Sequence, residues 1–130
     1  MELIEKADLS FANLIRATLD DAHLNEADLE GTNLEKADLR DAHLKGSYLS
    51  GANLEGANLE GANLKGANLM VANLEGADLE KARNLKIYHL KVVKTLYNTK
   101  LDEDLRKQLE KAFPEKYLEL VKKSDSINYY

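Results

Sequence analysis

Leucine stands at every fifth position from Leu9 to Leu79, fifteen times in succession. The residue two before each is small: alanine at Ala7, Ala12, Ala17, Ala22, Ala27 and onward, with Thr32 and Ser47 as the exceptions. A period of five matches neither the 3.6 of an α-helix nor the 2 of a β-strand. The pattern therefore predicts a regular architecture over residues 1–82 that is neither a helix nor a pleated strand, with a core of leucine and alanine in a narrow space. After Ala82 the frame slips: Asn84 falls where a leucine is due, and Leu85 follows it. Residues 83–130 read instead as a helical cap and tail. Leu85, Val92 and Leu96 have helical spacing, which predicts a helix to about Tyr97. Asp102 is placed to N-cap a second helix, with Glu103 and Asp104 in its first turn and Leu105, Leu109, Ala112 and Phe113 on one face. Pro114 ends that helix and opens a third, to about Lys123. The last seven residues, with Ile127, Tyr129 and Tyr130, read as a frayed tail able to fold back on an edge or on the helices.

Charge separates the same two regions. Residues 1–82 hold 16 acidic and 7 basic side chains, whereas residues 83–130 hold 7 acidic and 11 basic ones. The whole chain, with 18 basic and 23 acidic residues, has a net charge of -5. That balance argues against direct binding of nucleic acid or an anionic membrane, which calls for a basic excess. There is no cysteine, so disulfide and thiol chemistry are excluded. No stretch approaches the roughly 18 apolar residues of a membrane span. The first residues lack the basic and then apolar layout of a signal peptide, so the sequence reads as a cytoplasmic protein.

Units such as Gly51-Ala52-Asn53-Leu54-Glu55, repeated as Gly56-Ala57-Asn58-Leu59-Glu60, resemble the pentapeptide-repeat family with its motif A(D/N)LXX. The match runs over residues 4–82. The segment from Val92 to Asp102 is similar to the helical tail on many pentapeptide proteins of photosynthetic bacteria. The resemblance implies an all-β solenoid, a right-handed quadrilateral β-helix of about four coils, closed by two or three C-terminal α-helices. One unit would then form one side of a square, and the leucine and the small residue would point inward. All seven glycines lie at the last position of a unit, where the chain turns a corner and a positive φ is useful. Residues 20 apart would stack in columns about 4.7–4.9 Å apart. One such column, Asn13, Asn33, Asn53 and Asn73, is expected to form an amide-to-amide ladder.

Four outward features break the monotony. The side built on Leu19, Leu39, Leu59 and Leu79 displays Asp20, Asp21, Asp38, Asp41, Glu60, Asp78 and Glu80 against Arg40 and Lys81. Some members of the family imitate duplex DNA and occupy its site on gyrase, so the resemblance implies a regulator of a type II topoisomerase as one reading of this acidic face. A solubilising surface is the other. His23 and His43, with Asp21 and Asp41 across the preceding corner, offer ligand types suited to zinc or another divalent metal. They equally suit an outward position that tolerates many residues. Phe11, Ile15 and Tyr48 are outward apolar residues, and Phe11 and Ile15 join Ile4 at the N-terminal edge, where two chains could pair as a homodimer. Met70 and Val71, in the last coil, are expected under the helical cap.

No P-loop, dinucleotide-binding turn or cysteine nucleophile is present, and a convex rod offers no pocket for catalysis. The sequence points to a non-enzymatic structural or protein-interaction scaffold without cofactor or metal, whose partner is another protein. The near-identical central repeats also fit a designed or consensus scaffold.

Overall fold

The computed structural model describes residues 6–123; the expectations for Ile4 and for the tail with Ile127, Tyr129 and Tyr130 lie outside them. The chain winds as a right-handed quadrilateral β-helix. Each five-residue unit makes one side, and one residue per side pairs in parallel with the residue 20 positions on. Four ladders result: Asp8–Asp28–Tyr48–Asn68, Asn13–Asn33–Asn53–Asn73–Thr95, Thr18–Asp38–Asn58–Asp78–Lys100 and His23–His43–Asn63–Arg83. The sides carrying them are called the first, second, third and fourth.

The motif follows from the need to satisfy every backbone amide. In Ala27-Asp28-Leu29-Glu30-Gly31, four amides find backbone carbonyls. Ala27 donates to Leu24 at 3.1 Å across the corner, Asp28 to Ala7 at 2.8 Å in the coil below, and Leu29 to Tyr48 at 2.8 Å and Gly31 to Ser50 at 3.0 Å in the coil above. The fifth amide, that of Glu30, has no backbone acceptor and donates to Oδ1 of Asp28 at 3.1 Å. That local turn is why Asp or Asn precedes the leucine. The same bond recurs from Glu35 to Asn33, Glu55 to Asn53, Glu60 to Asn58 and Glu75 to Asn73. The expected amide ladder is present between Asn33, Asn53 and Asn73, but at 3.4 and 3.3 Å it is secondary to the turn.

The interior is as narrow as the pattern requires. Every repeat leucine from Leu29 to Leu79 is at most 1% exposed, and the alanines beside them are buried. Corner residues take φ between 51° and 72°, whether glycine or not. Gly61 is one position where the absence of a side chain is required twice, by φ +72° and by the carboxylate of Asp41 lying against its Cα.

The expected helix from Leu85 to Tyr97 is not formed. Only one helical turn, α1 (Ile87–Leu90), appears, after which the chain rejoins the β-helix. Thr95 pairs with Asn73 and Lys100 with Asp78, now 22 residues apart, which adds two sides of a fifth coil. The β-branched Val92, Val93, Thr95 and Thr99 resist helix, and the open rim of the fourth coil offers them a ladder. Val92 accepts from the Val71 amide at 2.8 Å, Tyr97 accepts from Gly76 at 2.9 Å, and Lys100 accepts from Leu79 and donates to Ala77, both at 2.9 Å. Leu96 and Leu101 restore the five-residue spacing, and Asn98 takes the corner with φ 57°.

Two further helices, α2 (Glu103–Ala112) and α3 (Pro114–Leu120), close the end, with Pro114 in the first turn of α3 as expected. Asp102 does precede α2, but its side chain does not cap the helix. Both carboxylate oxygens accept the Lys81 amide instead, at 3.1 Å, in place of the backbone carbonyl that serves the same corner below, where Asp41 donates to Glu60. Leu90 of α1, Leu109 of α2 and Leu120 of α3 are buried at the join, and Lys91 lies 5.2 Å over the Phe113 ring.

Candidate partner-binding surfaces

The square section places each outward residue on a known side, so the sites can be built column by column. On the third side, Asp20, Asp21, Asp41 and Glu80 are exposed, while Asp38, Glu60 and Asp78 are half-buried. The two bases partly neutralise this side. Arg40 grips Asp38 through Nε and Nη2, at 2.8 and 2.6 Å, and its hydrogen bond holds the Asp38 carboxyl below the usual carboxylate range. Lys81 lies 3.8 Å from Glu60. Oδ1 of Asp78 is further engaged by the Glu80 amide at 2.9 Å.

On the fourth side His23 and His43 stack face to face, with centroids 4.7 Å apart and planes 5° from parallel. A metal binds in the plane of each imidazole, and two stacked, nearly parallel planes share no nearby point. In this geometry the two rings therefore do not converge on one ion. No group of three or more His, Cys, Asp or Glu side chains arranged to hold a metal, Asp21 and Asp41 included, occurs among the described residues.

The apolar residues divide into two places. Phe11 is 75% exposed and Ile15 41%, both on the first coil. Tyr48, Met70 and Val71 belong to the first side and its following corner, and all three are exposed. Met70 and Val71 thus are not covered by the helices, contrary to the expectation. The helices lie across the end of the rod, over Leu90 and the fifth coil, rather than down its flank.

Two groups went unnoticed in the sequence. Lys45, Lys65 and Arg83 give the fourth side a basic character that only the column assignment reveals. His89, on α1, is buried at 2% exposure; its signal, a lone histidine in an apparently helical stretch, was indistinct.

Ladders at a period of 20, inward leucines and positive-φ corners define a solenoid of the quadrilateral β-helix class. The profile of the pentapeptide repeats matches residues 7–46 and 47–83, in eight copies. The chain belongs to the pentapeptide repeat family. Its structure is similar to that of alr5209, a pentapeptide repeat protein from Nostoc Pcc 7120, at 33% identity and a TM-score of 0.59, over 75% of this chain and 86% of that one. It is also similar to a pentapeptide repeat protein from the Arabidopsis thaliana thylakoid lumen, at 28% identity and a TM-score of 0.53, over 83% and 74% of the two chains. A trypsin-treated QnrB1, a plasmid-mediated fluoroquinolone resistance protein, shares the fold at 24% identity and a TM-score of 0.55; the match covers 85% of this chain but only 53% of QnrB1. No curated protein sequence matches the chain. Among the described residues, no helix is long and apolar enough to cross a membrane.

Proposed function

We propose that the chain is a non-enzymatic protein-interaction scaffold, a rigid rod that binds another protein through its outward surfaces. One observation carries this reading: among the described residues, the first coil is apolar and its lower edge is unpaired. Phe11 and Ile15 are exposed on the first coil, the Phe11 ring lying over Gly31 of the next, and Leu9, Leu14 and Leu19 of that coil are only half-buried. The amides of Asn13, Thr18 and His23 have no backbone acceptor among the described residues. Such an end is an edge template with a hydrophobic centre, and a second copy of the same coil fits it as a homodimer. Sedimentation velocity over a wide concentration range tests this. Self-association that Phe11→Asp and Ile15→Asp abolish, with circular dichroism unchanged, supports the contact; a wild-type chain that stays monomeric throughout removes it.

A second reading, regulation of a type II topoisomerase by imitation of DNA, is favoured by the acidic third side. Its two bases within reach of carboxylates weigh against it. A gyrase supercoiling assay decides, since absence of inhibition at high protein concentration ends that reading.

A further inference from the structure

We propose that the corner floored by Gly46 and Gly66, on the fourth side, is a docking groove for an extended acidic peptide segment. This deepens the scaffold reading and rests on it, but it uses a surface separate from the N-terminal end.

The shape comes first. Glycine at two successive levels of one corner leaves a groove of about 450 Å³, bounded by Asn25, Glu26, Lys45, Gly46, Lys65 and Gly66. Nothing lies within 4 Å of where a Gly66 side chain would begin. Its direction is along the rod axis, because corners stack one above another.

The charge comes second. The rod has other glycine corners: Glu55 and Glu75 precede Gly56 and Gly76, Glu60 precedes Gly61 and Glu30 precedes Gly31, the last two covered by Asp41 and Phe11, while the open corner at Gly51 follows the uncharged Ser50. Lysines precede Gly46 and Gly66. Within the near-identical central repeats, Lys65 replaces the Glu of the two preceding units, and the stacking sets it directly above Lys45. Arg83 extends the same side upward, its Nε held by the Gly61 carbonyl at 3.1 Å. Glu26 is the single acid of this side, and its stem lies against Gly46, 3.4 Å from where a side chain there would begin, so it closes the lower end and leaves Gly66 as the open floor.

The third point is availability. In the repeats, Arg40 and Lys81 are within ion-pair distance of carboxylates. Among the described residues Lys45 and Lys65 are not. Consecutive coils are about 4.7–4.9 Å apart, and alternate side chains of an extended peptide are about 6.7 Å apart. Two flexible lysine stems readily span that difference, so carboxylates at alternate positions of the peptide can meet Lys45 and Lys65 together. The net negative charge of the other three sides of the rod disfavours acidic chains there, and the basic helical end is the competing surface that the control pair below addresses.

The test is fluorescence anisotropy of a fluorescein-labelled octaglutamate peptide against the full chain at low ionic strength. The expected result is saturable binding, weakened about tenfold or more by Lys45→Glu/Lys65→Glu. Lys94→Glu/Lys111→Glu makes the same change in net charge outside the groove and should alter binding by less than about twofold. Gly66→Asn, which the left-handed corner tolerates, fills the floor without removing charge and should also weaken binding. Circular dichroism confirms that each variant folds. Equal weakening by both charge-reversal pairs, no saturable binding, or tighter binding of a labelled oligothymidylate would overturn the proposal. Phe11→Asp leaves peptide binding unchanged, so failure of the N-terminal contact and failure of this groove are separate outcomes.

Discussion

His89 is the group whose perturbation tests the cap most directly. Its ring is 2% exposed, and Nδ1 accepts the Lys86 amide at 3.0 Å. The proton of the neutral ring therefore sits on Nε2, which is buried with no hydrogen-bond partner among the described residues. Tyr88 stacks against it, with ring centroids 4.2 Å apart. Burial pulls the His89 pKa below its ordinary 6.5, because the charged imidazolium loses its hydration, and the nearby Lys86 and Leu64 backbone offsets this only in part. The folded chain thus holds the neutral form, while the unfolded chain takes up a proton below pH 6.5. The stabilising contribution is complete above that pH and is lost as the pH falls. At one unit below the unfolded value, the unfolded chain is about ten-to-one protonated, and the loss approaches about 1.4 kcal/mol if the folded ring stays neutral.

His89→Gln keeps an acceptor for the Lys86 amide and removes the titration. Carboxylates titrate equally in both proteins and cancel in the difference. Thermal unfolding followed by circular dichroism at neutral pH and one unit below 6.5 should therefore show the wild type losing ground to the variant, by at most about 1.4 kcal/mol, the limit set by a folded ring that stays neutral. Parallel stability curves for the two proteins would refute the reasoning, as would a native-state NMR titration placing His89 at its ordinary pKa.

Three further substitutions probe the rod. Asn53→Ala removes the acceptor of the Glu55 amide and both links to Asn33 and Asn73, and should lower stability by about 1–2 kcal/mol in urea unfolding, with an unchanged denaturant slope. Ser47→Ala removes a hydroxyl that is buried without a partner, and should raise the urea midpoint, by about 1 kcal/mol in stability; a fall would mean that the hydroxyl is bonded after all. Val71 is a β-branched residue held at φ 51° and 57% exposed. Val71→Gly relieves strain of about 1–2 kcal/mol against an entropic cost of about 0.5–1 kcal/mol, so thermal unfolding should show a small net gain.

The fold was legible because three of the five positions in each repeat are fixed by sterics and hydrogen bonding. Leucine fills the interior, alanine fits beside it, and Asp or Asn closes the turn. The helices at Glu103 and Pro114 were legible from their first-turn acids and the proline. The fifth coil was not, because Thr95 stands where Asn is usual and Thr99 where Ala is usual, and the two-residue offset hid both. Their hydroxyls serve the same ends: Thr95 accepts the Tyr97 amide at 3.0 Å, and Thr99 donates to the Leu74 carbonyl at 2.6 Å, as Thr32 does to Leu9 at 2.7 Å. Of the candidate sites, the third-side acids and the His23–His43 stack followed directly from the period of 20. The groove at Gly46 and Gly66 did not, since its character depends on which residues flank a bare corner rather than on any one motif.

That hidden coil explains how helices can close a β-helix. A helix satisfies its own interior amides and carbonyls, so its flank cannot pair with an open ladder. The chain resolves this in stages. Two additional sides, the second and third, extend the ladder over half the end, and the Asp102 carboxylate takes the Lys81 amide where no fourth side follows. The fifth coil then has an amide of its own without a ladder acceptor, at the buried Leu96, and the last carbonyl of α3, at Leu120, accepts it at 2.8 Å. A helix C-terminus is the one part of a helix with carbonyls to spare. The helices are thus oriented by a ladder bond as well as by the burial of Leu90, Leu109 and Leu120. Nothing among the described residues performs that service at the other end, where the first coil keeps its unpaired amides beside half-buried leucines. That difference among the described residues is why we propose the partner contact at Phe11 and Ile15 rather than at the cap.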